Sequence, residues 1–180
     1  MADKLSDTIF FSDLSSVSES DFYSKNIQYR LPKNTKPIKY ILQITTAVHQ
    51  GEKKFSGNVK IHFETLENSN HITLHNRQIT INEVDLLNSS TSGIIESNVP
   101  VSFRDEVDFL IIKPSANLIK GEEYILKISY QGLLSDDNTG FYISSYVNKD
   151  GIKVPFAATN FAPHYARKAF PWYELIEQIF

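Results

Sequence analysis

The 180-residue sequence predicts an all-β fold, an antiparallel sandwich or saddle, and three observations carry that prediction. Phe55, Gly57, Val59, Ile61 and Phe63 alternate with Ser56, Asn58, Lys60, His62 and Glu64, giving a half-buried strand one apolar or small face and one polar face. Tyr40, Leu42, Ile44, Thr46 and Val48 keep the same period upstream, and Tyr124, Leu126, Ile128 and Tyr130 keep it downstream. Turn residues divide these runs, the pattern of short strands folded into packed sheets.

Taken in order, residues 1–28 are rich in Ser and Asp without a sustained period, and read as a disordered tail with local packing at residues 9–11. Residues 29–180 read as one β domain. It begins at Tyr29-Arg30-Leu31-Pro32, because Pro32 and Pro37 fix an extended backbone. His49-Gln50-Gly51-Glu52 reads as the hairpin turn between the first two strands. Ile72 with Leu74, and Ile79 with Ile81, mark shorter strands, and Val107 to Ile112 is a continuous apolar run. The polar stretch from Asn88 to Gly93 is a surface turn by composition, and Lys120-Gly121 is another. At the far end Leu175, Ile176, Ile179 and Phe180 form a helical stripe, which predicts a short C-terminal helix packed on the sheet.

Composition narrows the function. Eighteen Lys+Arg against twenty-one Asp+Glu leave a net charge of -3, which offers no groove for nucleic acid. The chain has no cysteine, so disulfides, thiolate metal sites and a cysteine nucleophile are excluded, while the redox compartment stays open. The start lacks a basic region followed by a long apolar run, so no secretory signal is read there. No stretch reaches the ~20 apolar residues of a membrane-spanning helix, and the chain reads as soluble. Localisation is otherwise undetermined.

Catalytic apparatus is not visible. His71 and His75 are four apart, which on a helix would offer two imidazoles to one metal. Ile72 and Leu74 alternate with polar positions instead, so the segment reads as a strand, on which the two would stand ~13 Å apart. Ile72 also occupies the place a general-base glutamate would need. His49, His62 and His164 lack a second ligand at useful spacing. No serine sits in a GxSxG elbow, and no phosphate loop occurs. Asn88-Ser89-Ser90 is a glycosylation sequon in turn-like surroundings.

Two stretches are more specific: GFYISSY at residues 140–146 and AATNFAPHYARKAFP at residues 157–171. With Tyr29-Arg30-Leu31-Pro32, Phe55-x-Gly57 and residues 133–146, they occur in the order found in the amino-terminal domain of the aminopeptidase N family of zinc metallopeptidases, which the chain resembles from residue 29 to about 171. The resemblance implies a β domain that caps a catalytic domain and helps bind the free amine of a peptide during proteolysis. The family's zinc is held by an HExxH helix in the following domain. This chain stops at Phe180 without one, so the resemblance implies a form truncated before the catalytic domain, with no catalytic residues, metal ligands or cofactor of its own, and inactive alone.

In the family the second stretch runs roughly Thr-Gln-Phe-Glu-Pro-x-x-Ala-Arg, and its glutamate reaches the substrate amine. Ala162 stands at that position, and a methyl group cannot accept a hydrogen bond from an ammonium. Asn160, in place of the glutamine, is the nearest carboxamide, one methylene shorter, and is the candidate substrate-binding residue. Read on its own surroundings, Asn160 is a turn residue bonding its own backbone near Pro163. Arg167 is implied to buttress the domain junction through an ion pair. Departures include Ile143 in place of a basic residue, and Trp172-Tyr173-Glu174-Leu175-Ile176 after Pro171. The expected partners are a peptide N-terminus if a catalytic domain is joined, or a full-length aminopeptidase or other protein. The alternatives are a non-catalytic binding or interaction module that is a diverged paralogue, and an unrelated adhesion or sugar-binding sandwich.

Overall fold

The computed structural model describes residues 29–173. The expected tail (1–28) and the helix expected around residues 175–180 lie outside the described residues. Among them the chain forms β1 (Thr35–Thr46), β2 (Lys54–Thr65), β3 (Ile72–His75), β4 (Ile79–Asn88), β5 (Ile94–Glu96), β6 (Val101–Arg104), β7 (Phe109–Ile112), β8 (Glu123–Leu133), β9 (Gly140–Val147) and β10 (Lys153–Asn160). Short 3-10 turns occupy Val48–Gln50, Asp105–Val107 and Tyr165–Lys168. The ladders are antiparallel: a five-stranded sheet ordered β1-β2-β8-β4-β5, a three-stranded sheet β3-β7-β6 and a two-stranded ribbon β10-β9.

Alternation builds the large sheet. Ile61 pairs with Tyr40 on one side and Leu126 on the other, and Leu126 continues to Leu86; the next rung runs Leu42, Val59, Ile128, Val84. Val59, Ile61, Leu126 and Ile128 are wholly buried, while Lys60 and Asn58 between them are exposed. At one end large and small residues interlock. Gly57 pairs with Tyr130 and Gly132 with Phe55, and a Cβ on Gly57 would overlap the Tyr130 ring. That close approach is the physical content of the Phe55-x-Gly57 pattern.

The three-stranded sheet packs its Ile72, Leu74, Leu110 and Ile112 into the same core cluster, which makes the sandwich. All four β3 residues are buried, so the strand carries no alternation to read. In β4 the register shifts between Ile81 and Glu83, and Val84 to Leu87 are all buried; the Ile79/Ile81 signal marked only its first turn of pleat. The apolar run at Val107 divides, with Val107 closing a 3-10 turn, Asp108 left-handed at φ 58° and β7 starting at Phe109. Residues 48–50 form a 3-10 turn ended by left-handed Gly51, and it makes the hairpin connection between antiparallel β1 and β2. The Asn88 to Gly93 turn lies where composition put it, between β4 and β5. β5, β6, β9 and β10 escaped the periodicity reading, because their residues are exposed or half-buried on both faces.

Candidate functional site

The two motif stretches meet at one junction. β9 begins at Gly140 and β10 ends at Asn160, its partner in the ladder. Gly140 has φ +68°, and a Cβ there would stand 2.5 Å from the Lys168 Cβ and 3.1 Å from the Tyr165 carbonyl. Only glycine supplies that backbone and that closeness. The GFY glycine and the Ala-Arg-Lys turn are therefore two halves of one contact.

Asn160 is exposed at the end of β10, and its Nδ2 donates to the Asn138 carbonyl at 3.0 Å. It is a strand residue tied to the turn before β9, not to its own backbone near Pro163, because the ladder had already fixed its main chain. That bond uses one of the two Nδ2 hydrogens and ties this end of the carboxamide to the turn before β9. Phe161, Ala162, Pro163 and His164 follow, all exposed, with a cis Ala162–Pro163 bond. The Tyr165 N–H donates to the Phe161 carbonyl at 3.0 Å, closing the turn that carries Ala162.

Beyond it, Ala166, Ala169 and Phe170 are buried. Lys168 is buried too, and its Nζ reaches Asp137 Oδ2 at 2.9 Å and Thr139 Oγ1 at 2.6 Å. The Thr139 hydroxyl and the Lys168 ammonium hold the Asp137 carboxyl well below the usual carboxylate range. Arg167 forms an ion pair within this domain: its Nη1 lies 3.2 Å from Asp108 Oδ2, and Arg77 reaches the same oxygen at 3.7 Å. A main-chain bond from Arg77 N to the Arg167 carbonyl, 2.9 Å, ties the same two segments.

His75 ends β3 and bridges to Trp172 through paired main-chain bonds of 2.7 and 2.9 Å. Its ring packs edge-on against Phe109. Burial, with the Arg167 charge in support, pushes the His75 imidazole down to about 4, against hydrogen bonds to the Asp108 and Val107 backbone. It is a neutral structural histidine at ordinary pH. His71 precedes the strand and contacts the Asn70 carboxamide. Tyr40 stacks on Trp172 at 5.3 Å, its hydroxyl accepts from the Tyr173 N–H, and the Tyr173 hydroxyl meets Thr35 Oγ1. Burial raises both phenols.

A cleft of about 1020 Å³ opens beside this cluster, its wall including Leu31, His75, Arg77, Asp108 and Arg167. Periodicity could not have assembled it, since its walls come from residues 29–36, β3, the turn before β7 and the turn after β10. Among the described residues no three His, Cys, Asp or Glu converge to hold a metal. The zinc of the resembled family therefore finds no ligand set among them.

The last ladder of the β sandwich ends in an exposed turn, followed by Ala166 and Lys168, both buried, with Arg167 half-buried between them. The family pattern described as the Peptidase M1 N-terminal domain matches residues 36–174, and the chain belongs to that family. It is 34% identical over 166 residues to membrane alanyl aminopeptidase of Manduca sexta, covering 81% of this chain and 16% of that protein. Against aminopeptidase N of Rattus norvegicus the identity is 28% over 154 residues, covering 82% and 16%. Against the human thyrotropin-releasing hormone-degrading ectoenzyme it is 29% over 150 residues, covering 82% and 13%. The chain thus spans 16% or less of the length of these curated relatives. Among the described residues no helix is long and apolar enough to cross a membrane.

Proposed function

We propose that residues 29–180 form an accessory domain that caps a zinc aminopeptidase catalytic domain and lends one wall to the pocket for a peptide's free amine. In this role the domain positions the peptide end and excludes water, while the metal and its chemistry belong to the catalytic domain. The observation that supports this reading is the exposed end of β10 with the turn after it, held by the Gly140, Lys168 and Arg167 contacts within the stretch that matches the family. A ligand-facing turn needs such an anchor, because displacement of a binding group by about 1 Å costs much of its effect.

Ala162 makes this wall poor in acceptors, and the Asn160 Oδ1 is the acceptor left for an ammonium. The test is a chimera in which residues 29–173 replace the amino-terminal domain of rat aminopeptidase N, assayed by release of a chromogenic amine from an aminoacyl amide. Ala162→Glu in the chimera restores a charged hydrogen bond, about 1.5–3 kcal/mol, and lowers KM roughly tenfold or more. Asn160→Ala raises KM. Unchanged kinetics in both variants refute the reading, as does chelator-sensitive turnover by the 180-residue chain alone with added zinc.

A second reading, an interaction module without catalytic partner domain, draws on the β9–β10 ribbon, where Tyr146, Val147 and Ile152 are more than half exposed. Exposed apolar groups of this kind mark contact surfaces. Co-sedimentation with a full-length aminopeptidase separates it from the first.

A further inference from the structure

The β4–β5 turn carries the one Asn-x-Ser/Thr sequence of the chain, Asn88-Ser89-Ser90. Asn88 ends β4, and its N–H donates to the Gly93 carbonyl while the Ser92 N–H donates back to the Asn88 carbonyl, both at 2.9 Å. The Asn88 Oδ1 accepts from Ser90 N at 3.0 Å, Ser90 Oγ at 2.7 Å, Thr91 N at 3.0 Å and Thr91 Oγ1 at 3.2 Å. Four donors hold that oxygen into the turn. The Nδ2 of the same carboxamide donates to nothing among the described residues and is its unpartnered end. From Ser90 to Ile95 every residue is exposed, so the turn stands clear of the sandwich.

A separate observation concerns what lies beside it. β5 is the outermost strand of the five-stranded sheet, and it presents Ile94, 64% exposed, and Ile95, 47% exposed. Ile94 pairs with Leu87, the residue before Asn88, so the apolar edge lies next to the sequon. An open strand edge bearing apolar side chains is a template for pairing with another chain, and proteins commonly cover or charge it.

We propose that Asn88 is an acceptor for an N-linked oligosaccharide, and that the attached sugar shields the β5 edge. The donor is an oligosaccharide carried on a lipid diphosphate. In the transfer the Asn88 Nδ2 bonds to the anomeric carbon as that carbon's bond to the phosphate oxygen breaks. The lipid diphosphate leaves with the bonding electron pair, and Nδ2 gives one proton to the transferase base. The Ser90 hydroxyl, already aimed at the carboxamide, is the second recognition element.

The test directs the full chain into the secretory lumen of a eukaryotic cell behind a cleavable leader, followed by peptide mapping before and after treatment with peptide N-glycosidase. The expected result is a glycosidase-sensitive mass on the peptide containing Asn88, with that asparagine returned as aspartate. Ser89→Ala retains the modification, whereas Asn88→Gln and Ser90→Ala lack it. Mapping on the wild-type and Ser89→Ala chains decides the matter even where the other variants fail to fold. Folded wild-type chain recovered from the lumen with Asn88 unmodified overturns the proposal. Removal of the sugar increases self-association in sedimentation, and no change there refutes the shielding role.

Discussion

Replacing Gly140 by alanine tests the junction most directly, because two independent costs fall on one methyl group. At φ +68° an alanine is in the left-handed region, which costs about 1–2 kcal/mol. Its Cβ would also stand 2.5 Å from the Lys168 Cβ and 3.1 Å from the Tyr165 carbonyl. Neither neighbour is the loose end of a side chain, so the 3-10 turn must move, at a cost of about 1–3 kcal/mol typical of overpacking. Together the loss is roughly 2–5 kcal/mol, a large part of the stability of a domain this size. Urea unfolding of the chain, followed by far-UV circular dichroism, measures it. Gly121→Ala is the control, since Gly121 has φ +83° with nothing within 4 Å of the added methyl, and it carries the backbone cost alone. If Gly140→Ala is no more damaging than Gly121→Ala, the close contact between β9 and the turn after β10 is not what holds the junction.

Two further outcomes follow from the same cluster. Asp108→Asn keeps the left-handed φ of 58° that asparagine tolerates, but removes the charge facing Arg167 and Arg77; the expected loss is about 1–3 kcal/mol in the same unfolding assay, and a change under about 0.5 kcal/mol refutes the ion pair's role. His75 is held neutral down to about 4 when folded and titrates at 6.5 when unfolded, so the unfolded chain binds the extra proton between those values. Stability therefore falls as pH drops from 6.5 toward about 4 and changes little more from this group below that, the total being on the order of 3 kcal/mol. His75→Gln should flatten that part of the stability profile, and an unchanged profile assigns it to other groups.

How much was legible in the residues depends on whether the signal is local. β2 alternates from Phe55 to Phe63 because one face meets the core and the other meets water, and the period holds over shorter runs in β1 (residues 40–46) and β8 (residues 124–130). β3 is buried throughout and β9 is half-buried on both faces, so burial there depends on which sheet arrives from elsewhere in the chain. The motif singled out Arg167, whereas its partner inside the domain, Asp108, was not legible: nothing near either residue announces a neighbour 59 positions away. Asn160 shows the same division. Its position in the motif singled it out, yet only its pairing with Gly140 and its bond to Asn138 determined which end of the carboxamide is tied down.

By itself the sequence determined the β class, the absence of thiol chemistry, and the motif order that signals family membership, since each is written in periods and spacings of a few residues. The tertiary structure decided which residues share the junction, which glycine must remain a glycine, and which histidine stays neutral. Those depend on desolvation and contact between strands far apart in the chain, quantities no window of neighbouring residues contains.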